Sequence, residues 1–312
     1  MNYKYLGLVF NACGSWSYAA DNLSARGLKA LFSLKRYICT GNIKPRLAMK
    51  LFDQMIKPIL CYASEIWVAC DLSKRKFRSA DGLAKYLDNI AIEKVHVNFC
   101  KFILGVNKRA VNLAVKGELG RFPVTFSSVI QAFRYWNHLM ESRNPLLQEA
   151  FFVSKSLHNN GVSTWFSFYD NICKLLGTGS DDPSAVFILR SYLTKKFENY
   201  WFNTINNFSK LDSYISFKSK FCMEGYLDTI SNRLHRVWYT KTRISNHRFA
   251  VETGRFRKTP RDERFCLFCK TQQKSLVEDE MHVLVYCPRY ATLRKELYDN
   301  INDFCPNFKG LT

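Results

Sequence analysis

Apolar residues recur along this chain at intervals of three and four far more often than two, which predicts helices over most of its length. From Leu23 onward, Gly27, Leu31, Leu34 and Ile38 share one face, while Arg26, Lys29 and Arg36 fall elsewhere on the same helix. Pro45 suits the first turn of the next helix, whose apolar face runs through Ala48, Leu51, Phe52, Met55, Ile56 and Ile59. Pro58 should kink or end it, because it lacks the N–H that the helix needs. Three further stripes follow: Ile92, Val95, Phe99, Phe102 and Ile103; Phe126, Val129, Ile130, Phe133, Trp136 and Met140; and Val186, Leu189, Leu193, Phe197, Tyr200 and Trp201.

The helical period breaks in a few places. Residues 4–10 (KYLGLVF) alternate imperfectly and read as a strand entering the turn-like cluster at residues 11–15. Gly105, Gly117, Gly120 and Pro123 punctuate what reads as a connecting region. Its GELG resembles a phosphate-clamping loop only superficially, since the third glycine and the preceding strand are missing. Residues 206–220 turn polar and read as a connector between a helical body and a C-terminal module. No internal repeat is present.

Charge then narrows the choice of partner. The chain has 312 residues, with 46 Lys and Arg against 26 Asp and Glu, a net charge of +20 on a sequence that is 47% apolar. Such a chain can bury a core, and its excess of one sign points to a polyanion, nucleic acid first. The residues after Met1 are neither a signal peptide nor an amphipathic presequence, so the chain is expected to start inside a fold. The longest apolar stretch, residues 58–70, is interrupted by Ser64 and Glu65 and falls short of the roughly 18 residues of a membrane span. Eleven cysteines, an odd number without an export signal, favour an intracellular, reducing compartment. Cys13, Cys39, Cys61, Cys70, Cys100, Cys173 and Cys222 stand singly and read as small core residues.

Four residues stand apart. Cys266 and Cys269 have two residues between them, twelve more precede His282, and four separate that from Cys287. A thiolate pair on one turn, with a His and a Cys closing the tetrahedron, fits a structural zinc site; Cys305 is a distant substitute for Cys287. With four protein ligands no position remains for a reactive water, so the ion would stabilise a fold. Expected, therefore, is a mainly α protein: a helical body with a short N-terminal β element and a small zinc-stabilised C-terminal module, divided at residues 1–145, 146–232 and 233–312.

Immediately before the cysteines, residues 233–261 hold Arg233, Arg236, Lys241, Arg243, Arg248, Arg255, Arg257, Lys258 and Arg261 against the single acid Glu252, or +8 in 29 residues. Trp238, Tyr239, Phe249 and Phe256 interleave with them, a combination that neutralises phosphates and stacks on bases. His247 lies among them, placed either to contact phosphate or to buttress the zinc module. His96 and His138 read as structural, and His158 and His235 have no partner pattern. Acid-base catalysis finds little support: the Asp181-Asp182 pair sits in a turn, and Glu278-Asp279-Glu280 lies within the zinc loop.

The order of these segments resembles the C-terminal part of the polymerase protein of non-LTR (LINE-type) retrotransposons. The resemblance is carried by Lys4-Tyr5-Leu6-Gly7, by Leu51-Phe52-Asp53 with residues 57–67 (KPILCYASEIW), and by Phe99-Cys100-Lys101 with residues 117–123 (GELGRFP). Asn246-His247-Arg248 and Glu252-Thr253-Gly254-Arg255 complete it ahead of the cysteines. It implies a strand from the end of the palm, thumb helices bearing Arg26, Lys29 and Arg36, and a zinc-binding segment, in a family that copies RNA into DNA from a nicked genomic primer, in the nucleus. The chain departs from the family in lacking the aromatic-x-Asp-Asp turn that holds two divalent ions for phosphoryl transfer. It is therefore expected to be a non-enzymatic fragment that binds RNA or DNA and self-associates through apolar faces meant for a palm. Two other readings stay open: a co-opted, zinc-stabilised protein-interaction module, and an incomplete record of an active polymerase.

Overall fold

The computed structural model describes residues 1–75, 80–178 and 185–304. The sequence has a basic run at residues 74–78 (KRKFR), of which Lys76, Phe77 and Arg78 lie outside the described residues, as do the Asp181-Asp182 pair and Cys305.

The chain opens with an antiparallel hairpin, β1 (Asn2–Tyr5) against β2 (Leu8–Asn11), with Tyr5 opposite Leu8. The single strand expected over residues 4–10 is thus folded back at its middle. Leu6 and Gly7 take φ of 46° and 87°, the two-residue turn whose twist matches that of paired strands. Helix α1 (Ser17–Thr40) then buries Leu23, Gly27, Leu31, Leu34 and Ile38, the stripe that the period predicts. Helix α2 (Pro45–Met55) begins at Pro45, and the break before Pro58 starts α3 (Lys57–Leu60). Ala48, Phe52 and Ile56 are buried while Met55 is left exposed.

Helices α4 (Ser64–Ser73), α5 (Ala80–Leu87) and α6 (Ala91–Leu104) follow, α6 packing along α1. Between Gly105 and Pro123 the expected connecting region is instead a helix, α7 (Asn112–Leu119), buried at every position from Leu113 to Leu119. Helices α8 (Thr125–Glu141), α9 (Pro145–Asn159) and α10 (Trp165–Leu176) enclose Trp136, whose ring centroid lies 4.8 to 5.4 Å from those of Phe151, Trp165, Phe166 and Tyr169. Helix α11 (Ala185–Ile205) carries the last predicted stripe and meets α7 where Trp201 lies against Gly117. A Cβ at Gly117 would stand 2.8 Å from Trp201 Cζ2, so this glycine serves helix packing.

Residues 206–220 are no linker. They form a short turn of 3-10 helix (Ser209–Leu211) and α12 (Asp212–Phe217), and Leu211 and Tyr214 are fully buried. Helices α13 (Tyr226–Thr229), α14 (Arg233–Arg243) and α15 (Ala250–Phe256) complete the body. One hydrophobic core runs from Leu8 to Ile244, continuous across residues 145 and 232. Beyond it, α16 (Leu267–Thr271), a π-helical turn (His282–Tyr286) and α17 (Ala291–Phe304) surround a separate cluster of Cys266, Cys269 and Cys287 with Phe268 and Tyr290. The molecule is mainly α, with one short β element at its N-terminus and a C-terminal Cys/His module. Among the described residues no helix is long and apolar enough to cross a membrane.

The body also buries charge. Glu93 accepts from Val124 N (2.7 Å), faces His96 Nδ1 (2.7 Å) and pairs with Lys116 (2.7 Å), which also pairs with Asp88. Arg121 Nε donates to His96 Nε2 (3.2 Å) while its guanidinium grips Asp53 (2.6 and 2.7 Å). His96 is thereby structural, its ring held between two partners. Of the singly placed cysteines, Cys61, Cys100 and Cys173 are buried as core residues, whereas Cys70 is half-buried and Cys13, Cys39 and Cys222 are exposed.

Candidate metal centre and basic surface

Local backbone structure brings the four ligand residues together. Cys266 stands just before α16, its N–H bonded to Leu276 O (2.8 Å) beside the Phe265–Val277 bridge, and α16 places Cys269 one turn on. Gln273, at φ 62°, turns the chain back. Asp279 Oδ1 accepts from His282 N (2.8 Å), starting the turn that ends with Cys287 N on His282 O (2.7 Å). Arg294 of α17 donates to Cys287 O (2.7 Å) and closes the module.

The ligand atoms of Cys266, Cys269, His282 and Cys287 all lie within 4.8 Å of one another, and all four residues are buried. Cys266 Sγ and Cys269 Sγ are each 3.9 Å from Cys287 Sγ, and Cys269 Sγ is 3.4 Å from His282 Nε2. These separations are too long for disulfides and match the edges, about 3.8 Å for sulfur to sulfur, of a tetrahedron with metal–sulfur bonds of about 2.3 Å. Without a cation, burial and the neighbouring Cys287 and Cys266 thiols push the Cys269 thiol up to about 11. A bound metal ion reverses that balance by favouring the thiolates. The cluster can hold a metal ion in a closed site compatible with zinc.

The acidic triplet beside the cluster fastens the module to the body. Glu280 Oε1 accepts from Ser245 Oγ (2.7 Å) and lies 2.8 Å from His247 Nε2, and its Oε2 accepts from Ser213 Oγ (3.0 Å). Glu278 Oε2 accepts from Ala250 N at the start of α15 (2.6 Å). Of the two roles left open for His247, its contact with Glu280 is that of a buttress.

The basic residues divide into two groups. Arg236 is buried and donates to Ile230 O (2.7 Å). Arg243 is clasped by Glu118 and Glu224, Arg255 pairs with Glu252 and donates to Ser209 O (3.0 Å), and Arg261 pairs with Asp212 (2.7 Å). Arg236, Arg243 and Arg255 thus serve contacts within the molecule, and Arg261, though exposed, is paired at the surface. Arg233, Arg248, Arg257 and Lys258 are exposed, as are Arg26, Lys29 and Arg36 on α1. Lys241 is half-buried, with Nζ 4.9 Å from the centroid of the exposed Trp238 ring. Tyr239 and Phe256 are also exposed, and Arg109 lies over the Phe256 ring at 4.6 Å.

Reading the sequence missed Arg109 and three lysines of the α6 region, Lys94, Lys101 and Lys108. Lys94 and Lys101 stand seven residues apart on the side of α6 opposite its apolar stripe, and Lys108 follows seven further on, beyond the end of the helix; that spacing was the available signal. The chain matches no family model, no curated protein and no solved structure.

Proposed function

We propose that this chain binds RNA or DNA as a C-terminal, thumb-and-zinc portion of a non-LTR retrotransposon reverse transcriptase, and that it does not itself polymerise. The observation that carries the reading is the exposed set of Arg233, Arg248, Arg257 and Lys258, with the half-buried Lys241, interleaved with the exposed rings of Trp238, Tyr239 and Phe256, beside the Cys3His cluster. Cations at this density neutralise phosphates, and exposed rings accept stacked bases of any sequence. The ion in the cluster is zinc, bound by Cys266, Cys269, His282 and Cys287, and its role is structural. The resemblance of segment order described above supplies the family, and nuclear action follows from it.

A salt titration tests the reading. Fluorescence anisotropy with labelled RNA and DNA oligonucleotides should show affinity falling by about a thousandfold or more between 50 and 200 mM salt if six or more phosphates are contacted. A flat response, or no binding at 50 mM salt, would overturn it.

A further inference from the structure

The two basic segments singled out in the sequence, on α1 and at residues 233–261, are far apart along the chain, and between them lies a cleft that neither explains. It has a volume of about 460 Å³ and is lined by Lys94, Asn98, Lys101, Phe102, Val106 and Lys108, with Asp88 at its edge. No carboxylate pairs with any of the three lysines among the described residues. Asp88, the one acid of the lining, is already paired with the buried Lys116.

Both ends of the cleft are continued by cations. At one end, Lys35 of α1 donates to Asn98 Oδ1 (2.7 Å), its ammonium 5.0 Å from the Phe102 ring centroid. On the same helix Lys29 and Arg36 are exposed and flank Phe32, whose ring is 72% exposed. At the other end, Lys108 is followed by Arg109, which rests on Phe256, and Phe256 leads to the exposed Arg257 and Lys258. Asn107 N donates to Asn246 Oδ1 (3.0 Å), fixing the loop after α6 to the segment that precedes α15.

We infer that this lysine-lined cleft joins the two basic segments into one continuous track for a single-stranded nucleic acid. The inference rests on the nucleic-acid reading above and names where the strand lies. Lys94 and Lys108, exposed and without a carboxylate partner among the described residues, and the half-buried Lys101, whose Nζ donates to Lys108 O (2.8 Å), suit the regularly spaced phosphates of a backbone. The apolar Phe102 and Val106 suit an unstacked base or sugar, which a closed duplex does not offer. Burial, and after it the neighbouring Lys210 ammonium, push the Lys101 pKa down.

The test uses the full chain, labelled single-stranded 20-mers of RNA and DNA, and the triple variant Lys94→Ala, Lys101→Ala, Lys108→Ala. Each phosphate that is no longer neutralised lowers the slope of log K against log salt by about 0.7, so the slope should fall by about 2 and Kd at 100 mM salt should rise at least tenfold. A folded triple variant that keeps the parent's slope and affinity overturns the track. Should the variant fail to fold, lysine acetylation of the unaltered protein decides: bound 20-mer must protect Lys94 and Lys108, and equal labelling with and without it overturns the inference. An unaltered protein that binds neither 20-mer removes the nucleic-acid reading itself. One that binds without protecting these lysines removes only the track.

Discussion

Arg243, counted in the sequence among the cations of the basic stretch, reaches inward from α14 and holds Glu118 of α7 through two bonds, Nε to Oε2 at 3.0 Å and Nη2 to Oε1 at 3.1 Å. Glu118 is fully buried and also accepts from Tyr226 OH (2.7 Å), while Glu224 Oε2 meets the same Nη2 (2.9 Å). Removing the arginine leaves a carboxylate in the core without its cation. Arg243→Met is expected to cost about 3–5 kcal/mol of stability in urea unfolding. Oligonucleotide affinity of the fraction still folded should stay within about twofold, because the residue serves the core; loss of affinity without loss of stability would return Arg243 to the binding surface.

The metal module has little else to hold it. Its cluster of three cysteines, Phe268 and Tyr290 is separate from the main core and too small to fold on burial alone. Purified protein is expected to carry one zinc per chain. Chelation or Cys269→Ser should lower the melting temperature of the module while far-UV dichroism retains the helices of the body, giving two transitions in place of one. Metal-free protein with unchanged melting would oppose this.

Acid should attack the body through Glu93. Burial alone would raise the pKa of this carboxyl, but Lys116 and His96 overcome that and hold it at about 2, below its ordinary 4.5. A depressed carboxyl contributes stability that is complete above 4.5 and is lost as the pH falls towards 2. Unfolding free energy measured across that window should therefore drop steeply in the parent protein and more gently in Glu93→Gln. The variant also starts lower at neutral pH, by about 3–5 kcal/mol, since Lys116 loses one of its two acids.

How far the sequence could be read depended on the range of each interaction. The stripe of α1 repeats within one helix, and the spacing of Cys266, Cys269, His282 and Cys287 is set by two short turns, so both were visible locally. Helix α7 was not, because it is buried from Leu113 to Leu119 and has no polar face to set a period, and because Lys116 and Glu118 are of charged types that ordinarily lie at the surface. Their partners come from distant segments: Glu93 and Asp88 for the one, and for the other Arg243, 125 positions away. For the same reason the charge of residues 233–261 overstated what is free, as Glu118, Asp212 and Glu224, which engage these cations, lie elsewhere in the chain, and only Glu252 among the acids that pair with them in the described residues lies within the stretch.

Trp238 separates stacking from charge. Its ring is 60% exposed on the outer face of α14, where it buries little against the body, and Lys241 stands over it at 4.9 Å. A base stacked there would gain contact with the ring without neutralising a phosphate. Trp238→Ala is therefore expected to weaken oligonucleotide binding by about 1–3 kcal/mol while leaving the salt slope unchanged. Charge reversal at Arg257 and Lys258 should do the opposite, flattening the slope for a single strand by about 0.7 for each phosphate that these side chains neutralise in the parent. Thermal unfolding of the tryptophan variant should match the parent, because an exposed ring contributes little to the core. If affinity and slope both survive the loss of this ring, bases do not stack on α14, and the strand is held there by its backbone alone.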